Sequence, residues 1–292
     1  MAERSVREAF DELLARSVPL SSERNAAASH RASVEAALRD KLSVRSIRET
    51  GSFHHGTGVR GHSDVDILVS IARKPESSDT ALQWVREALT SRFRYTPIRI
   101  SRPAVVVDFA DGRERWEVIP GFYRGTTDGF DVYDIPAPAG GWIQTAPSAH
   151  LRFVNDANLS PKGGAKALAR LLKRWKYENL SGFPASSFYL EMRAASYMNA
   201  ETYFLADMDF ERIMRRLASS ELAAMNDPMN VTGRIAATSS PSNQTSATSR
   251  IRADADRTQK ALEAENGGDR ARAFTLLDDV FLGSFPSRFY TP

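Results

Sequence analysis

One stretch constrains this chain more than any other, residues 51–71, GSFHHGTGVRGHSDVDILVSI. It opens with Gly51-Ser52, passes Gly56, Gly58 and Gly61, and enters an apolar run from Asp64 to Ile71. A short run of apolar and β-branched residues behind a glycine-rich segment predicts a strand. Side chains two apart on a strand share a face. Asp64 and Asp66 therefore project together, while Val65, Ile67 and Val69 project the other way into a core. Two adjacent carboxylates repel unless a cation sits between them. Oxygen-only ligands suit Mg²⁺, which keeps waters and takes further ligands from substrate phosphates. Gly51-Ser52 adds a close backbone approach and a hydroxyl at a turn, features that suit a triphosphate tail. An isolated Asp-x-Asp after a turn is ordinarily a solvated strand end. Here it opens a strongly apolar strand twelve residues after Ser52, and the functional reading is preferred.

The remaining composition sets bounds. At 292 residues the chain is long enough for one large domain or two modest ones. Hydrophobic content of 42% with 26% charge is ordinary for a soluble globular protein. A net charge of +3 permits a basic groove for phosphates but falls short of a dedicated nucleic-acid binder. There is no cysteine, which excludes disulfides and thiolate zinc sites. Three of the five histidines, His54, His55 and His62, lie near the motif, with His30 and His150 elsewhere. His54-His55 reads as a solvated loop pair, because sequence neighbours seldom share a ligand direction. The N-terminus MAERSVREAF is charged, and no segment reaches membrane-spanning length, so a cytoplasmic protein with no membrane partner is expected.

Along the chain, residues 2–16 and 22–42 read as helices and 43–49 as a strand leading to Gly51. After the Asp-x-Asp strand, Ser77-Ser78 starts a helix to about Phe93. Strands follow at 97–100, 104–109 and 115–119, the last two joined by an Asp111-Gly112 hairpin signal. Residues 121–146, rich in Gly, Pro and aromatics, read as an irregular crossing segment with short strands. From Pro147 helices take over, at 147–158, 162–179, 186–198 and 207–222. The Ser/Thr-rich segment 226–249 reads as a flexible surface loop. Two last helices are expected at 250–265 and 269–281. The first ~125 residues thus combine helices with a largely antiparallel sheet and contain no βαβ nucleotide fold.

Gly51-Ser52 followed by Asp64-Val65-Asp66 resembles the nucleotidyltransferase superfamily signature, and the two-metal nucleotidyl transfer that this resemblance implies needs a third carboxylate beside Asp64 and Asp66. It must come from a neighbouring strand. Glu117 in Trp116-Glu-Val-Ile-Pro120 is best placed, and Asp108 on the partner strand is its rival.

These motifs resemble the CD-NTase family, the bacterial relatives of cyclic GMP–AMP synthase. The likeness rests on Gly51-Ser52, Asp64-Val65-Asp66, Glu117-Val-Ile-Pro, and Leu171-Leu-Lys-Arg-Trp-Lys176 followed by Ser186-Ser-Phe-Tyr-Leu-Glu191. Phe281-Leu-Gly-Ser-Phe-Pro286 resembles the family's C-terminal ending. Family members commonly have Asp where Glu117 stands. The compact length resembles the family's E clade. The resemblance implies an α+β, two-lobed polymerase-β-like nucleotidyltransferase fold, with a mixed sheet and a C-terminal helical bundle. It implies a catalytic core over 1–145, N-terminal helices packing across both lobes, and a helical domain over 146–292 that completes the nucleotide pocket. It implies Asp64, Asp66 and Glu117 as catalytic ligands of two Mg²⁺, with Mn²⁺ as a substitute. It places Gly51, Ser52, Lys173 and Ser187 on the donor triphosphate and Asn155 and Asn158 at the base pocket. Standing alone, the basic face carrying Lys173 is ordinarily just solvated. The implied product is a cyclic dinucleotide or oligonucleotide made from ATP and a second NTP, a second messenger read by a separate effector in anti-phage (CBASS-type) defence. A monomer is expected. Nucleic-acid activation is not, since the charge is low and no zinc-binding insertion is present. Two other readings remain: a nucleotidyltransferase making linear oligonucleotides or modifying RNA or protein, and a catalytically silent module that binds nucleotide or a partner.

Overall fold

A computed structural model gives the structure of residues 2–62, 64–110, 114–160, 162–178 and 182–290, with the side chains of 23–29 outside the description. The chain forms two compact units. One comprises Pro19–Arg152 with Met229–Gly233, and the other Met1–Val18, Phe153–Pro228 and Arg234–Pro292. In chain order the elements are α1 (Val6–Ser17), α2 (Ser21–Lys41), β1 (Val44–Thr50), α3 (Gly51–His55), β2 (Val65–Ile71), α4 (Ser78–Arg92), β3 (Ile98–Ser101), β4 (Ala104–Phe109), β5 (Glu114–Thr127), β6 (Phe130–Pro136), β7 (Trp142–Thr145) and α5 (Pro147–Ala157). Then follow α6 (Gly164–Glu178), α7 (Ser187–Met198), α8 (Ala206–Ser219), β8 (Met225–Asn226), β9 (Arg234–Ile235), α9 (Pro241–Asn266) and α10 (Arg270–Val280).

The first unit is built on a seven-stranded sheet whose main path runs β1-β2-β5-β4-β3, with β6 on the far half of β5 and β7 on β6. β2 and β5 are parallel; every other pair is antiparallel. The sheet is therefore mixed, and β5 is its backbone. The long route from β2 to β5 through α4, β3 and β4 is what allows the parallel pair. Ser77 caps α4 by accepting from the Asp79 and Thr80 N–H groups, and Leu82, Val85 and Leu89 form the buried stripe. That stripe and Val34 and Leu38 of α2 share one core with Val65, Ile67 and Val69 of β2, Val105 and Val107 of β4, and Trp116 and Val118 of β5. At the edge of this core the buried Glu114 carboxylate accepts from the Trp116 indole N–H at 2.8 Å and lies 3.0 Å from His30 Nδ1.

The second unit is helical. Its core joins Phe10 and Leu13 of α1, Leu168, Leu171, Leu172 and Trp175 of α6, Tyr189 and Met192 of α7, Phe210 and Met214 of α8, and Leu277 and Phe281 near the end. Ser5 and Glu8 close a reciprocal capping box at the start of α1.

Three readings differ from this architecture. The short strands within 121–146 are regular members of the main sheet and not an irregular crossing, because β6 and β7 pair onto the far half of β5 and bury Phe122, Val132 and Tyr133. The polar segment 226–249 contains half of a short hairpin and the start of α9, which Ser240 caps with Pro241 in its first turn. Helix capping there outweighs a loop-like composition. α1 groups with the C-terminal helices, so the unit boundaries differ from a single division at 145/146, and α5 runs across the point where they part. The Asp111-Gly112 turn lies outside the described residues; its flanking strands pair antiparallel, with Phe109 opposite Glu114.

Candidate active site

The site begins with register. Across four strands the sheet aligns Thr50, Asp66, Glu117 and Val106 in one row. Asp66 and Glu117 are direct partners on neighbouring parallel strands, which sets their side chains on one face. Asp108 sits two positions along β4, opposite Arg115, and is ion-paired with Arg99. Register thus sets Glu117, and not Asp108, level with Asp66. Beyond Asp66 the strand is closed in: Ile67 through Ile71 are all buried, so the open end of β2 is the end bearing the carboxylates.

Gly51 explains the glycine that precedes the motif. Its φ of +67° lies in the left-handed region, and a Cβ built there would fall on the Asp66 carboxylate. Both facts require glycine. The chain turns straight into α3, where Ser52 and His54 sit at the surface edge and His55 is buried. The two histidines are thus on a helical turn, not on a solvated loop. Burial, followed by His55 and aided by the Arg31 charge, lowers the basicity of His54.

Asp64 stands just before β2. Its carboxyl is pushed up to about 7, first by burial and next by the charge of Glu117, with Arg115 pulling the other way. Arg115 Nη2 donates to Glu117 Oε1 at 2.8 Å, and its Nε lies 3.4 Å from Asp64 Oδ2. A guanidinium therefore bridges two of the three acids. Among the described residues no three acidic or histidine side chains are gathered tightly enough to ligate one ion. The donor chemistry still fits a hard divalent cation: oxygen ligands only, two of them level on adjacent strands, and a carboxyl whose affinity for a proton is raised by burial and then by the charge of Glu117.

Comparison with known proteins decides the family. Residues 5–158 match the Second Messenger Oligonucleotide or Dinucleotide Synthetase domain. The chain belongs to this family. The synthetase family is one of nucleotidyltransferases of the cyclic oligonucleotide kind. A curated relative, the cyclic AMP-AMP-AMP synthase of Acinetobacter sp. (strain ATCC 27244 / 9458), is 29% identical over 163 residues, 51% of this chain and 45% of the relative. The match thus takes in less than half of that protein's length. Among solved structures, E. coli MS115-1 CdnC with ATP superposes at TM-score 0.76 and 19% identity, over 96% of this chain and 99% of that one. Elizabethkingia meningoseptica CdnE, solved with GTP and Apcpp, follows at TM-score 0.65 and 19% identity, over 85% and 97%. These likenesses show the synthetase fold. The compact length is shared with CdnC, so it does not single out the E clade.

The other residues expected at the nucleotide lie in the helical unit. Lys173 is 2% exposed and pairs with Glu191, itself 2% exposed, inside the core. Its ammonium faces that carboxylate inside the core, because α6 turns this position inward with Leu172. Asn158 accepts from the Lys166 backbone N–H at 2.9 Å, so its amide oxygen tethers the start of α6. Asn155 is exposed on α5. Ser187 opens α7, and its hydroxyl accepts from Lys176 Nζ at 2.7 Å and lies 3.2 Å from the Tyr177 hydroxyl. The cation beside Ser187 is therefore Lys176, three residues beyond the expected one. Sequence reasoning missed Lys176 and Arg115. Helical spacing placed both Lys173 and Lys176 on the same basic stretch, and the period-2 rule put Arg115 on the Glu117 face, so the signals were present.

Proposed function

We propose that the protein joins nucleoside triphosphates into a cyclic oligonucleotide of two or three nucleotides, released as a second messenger in anti-phage (CBASS-type) defence. The observation that carries this reading is the level pairing of Asp66 with Glu117, with Asp64 two residues before Asp66 and Gly51 fitted against its carboxylate. A divalent cation held by these acids would neutralise charge on the triphosphate and favour loss of the proton from an attacking ribose hydroxyl. The chain's own part is positional. Asp66 and Glu117 are fixed by sheet hydrogen bonds on both sides, which preorganises them at no cost during reaction. Gly51 adds no side-chain atom against Asp66, and Ser52, the next residue in the first turn of α3, offers a hydroxyl for a phosphate oxygen. In the helical unit the Lys176–Ser187 pair supplies a cation and a hydroxyl for a nucleotide phosphate. The trinucleotide-forming relative supports a product of three nucleotides, and the dinucleotide enzymes of the same fold support two. ATP is the first substrate to try, since CdnC was solved with it.

The test is incubation of purified protein with Mg²⁺ and all four NTPs, one labelled at the α-phosphate, with the Asp64→Ala/Asp66→Ala protein as control. Products are treated with phosphatase and weighed by mass spectrometry. A phosphatase-resistant species at the mass of a cyclic di- or trinucleotide, absent from the control, is expected. A linear or macromolecule-linked product would overturn the cyclic assignment.

A further inference from the structure

We infer that Arg115 is a positioning residue that competes with the divalent cation for Asp64 and Glu117, and so sets the cation concentration at which the site assembles. The inference rests on the metal-binding reading of these acids given above. Arg115 stands two residues before Glu117 on β5 and faces the same way. Its opposite number across the β4–β5 ladder is Asp108, and that carboxylate is already paired with Arg99. The charge of Arg115 is thereby directed to the site: Nη2 donates to Glu117 Oε1 at 2.8 Å, and Nε lies 3.4 Å from Asp64 Oδ2. A hard cation would seek carboxylate oxygens of these same two residues, and two positive centres within hydrogen-bond distance of one oxygen exclude each other.

The grip of the guanidinium is partial. Nε is buried yet makes no hydrogen bond, so one donor of the fork is held near Asp64 by charge and not by a directional bond. The side chain is 36% exposed, which gives it a way out into water when another cation takes its place. A fully hydrogen-bonded, enclosed arginine would lock the acids; this one balances their charge and can leave. Such an arrangement keeps Asp64 and Glu117 together when cation is scarce and gives way when a cation arrives with a nucleotide.

The test measures cation binding in the absence of nucleotide, by titrating Mn²⁺ and following the paramagnetic resonance signal of the free ion. Wild type, Arg115→Met, Arg115→Lys and Asp66→Ala are compared, with circular dichroism melts to show that each is folded. Arg115→Met is expected to bind Mn²⁺ about tenfold more tightly or better, and Arg115→Lys to stay within about threefold of wild type, because only the first removes the competing charge. Arg115→Gln replaces Arg115→Met if the latter does not fold. Equal or weaker binding by the neutral variant would overturn the inference, since a residue that merely supports the strand cannot tighten a cation by its loss. Binding by wild type that Asp66→Ala abolishes keeps the metal reading whatever Arg115 does. No Mn²⁺ binding by wild type or by the neutral variant removes both.

Discussion

Replacing Gly51 by Ala separates two effects that the structure locates at one residue. The first is conformational. At φ +67° an alanine pays about 1–2 kcal/mol for left-handed backbone. Gly61, at φ +75°, carries the same penalty, but a Cβ there meets nothing within 4 Å. At roughly 2–4 °C per kcal/mol for a unit of this size, each variant should melt about 2–8 °C lower than wild type. The second effect exists only at Gly51, where the new methyl falls on the Asp66 carboxylate and its Cβ. Asp66 cannot back away, because its strand is bonded to β1 on one side and β5 on the other. Either its carboxylate leaves the row with Glu117 or residue 51 is pushed out of its turn. A displacement near 1 Å at a reacting group costs on the order of 10²-fold in rate. The assay is turnover of α-labelled NTP with Mg²⁺ beside thermal melts of both variants. Gly51→Ala is expected to lose about two orders of magnitude in activity, and Gly61→Ala to keep most of it at a similar melting temperature. Turnover of Gly51→Ala within about threefold of wild type, or an equal loss in Gly61→Ala, would refute the packing argument.

Other outcomes follow from the same geometry. Glu117→Gln should lower NTP turnover by about 10²–10³-fold, while Asp108→Asn, which loses only its tie to Arg99, should stay within about tenfold of wild type; the reverse order in rate assays would restore Asp108 as the third acid. Lys173→Met should cost about 3–5 kcal/mol in urea denaturation by stranding buried Glu191, and Lys173→Met/Glu191→Leu should recover most of it. Normal stability of Lys173→Met together with weakened nucleotide binding would return that lysine to the phosphate. Asp64 binds its proton more tightly folded than unfolded, so the folded state gains least from it once the carboxyl is ionised. Its contribution to stability should be present below pH 3.8 and lost as pH rises toward 7, a slope in melting temperature that Asp64→Asn removes. An unchanged slope in that variant would mean that another group is responsible.

Much of the site was legible because strand and helix periods are local properties. The alternation of Asp64-Val65-Asp66-Ile67 fixed which side chains share a face, and burial of Val65, Ile67 and Val69 on the opposite side agrees with it. The same kind of signal marked Ser77 and Ser186 as starts of α4 and α7, where their hydroxyls accept from backbone N–H groups. Segments 121–146 and 226–249 were misjudged for a common reason. Glycine, proline and serine describe local flexibility, whereas pairing with β5 and capping by Ser240 depend on what those residues meet.

By itself the sequence determined the family's motifs, the two aspartates on one face and most of the helices, since each follows from residue type and spacing. Only the tertiary structure decided which distant acid stands level with Asp66, because the Asp66–Glu117 pairing is a register between strands separated by α4, β3 and β4. It also decided that Lys173 faces Glu191 while Lys176 faces Ser187, a rotation of α6 about its axis set by the packing of Leu168, Leu172 and Trp175. And it placed Arg115 between Asp64 and Glu117, where charge balance across three segments, not any one of them, selects its direction.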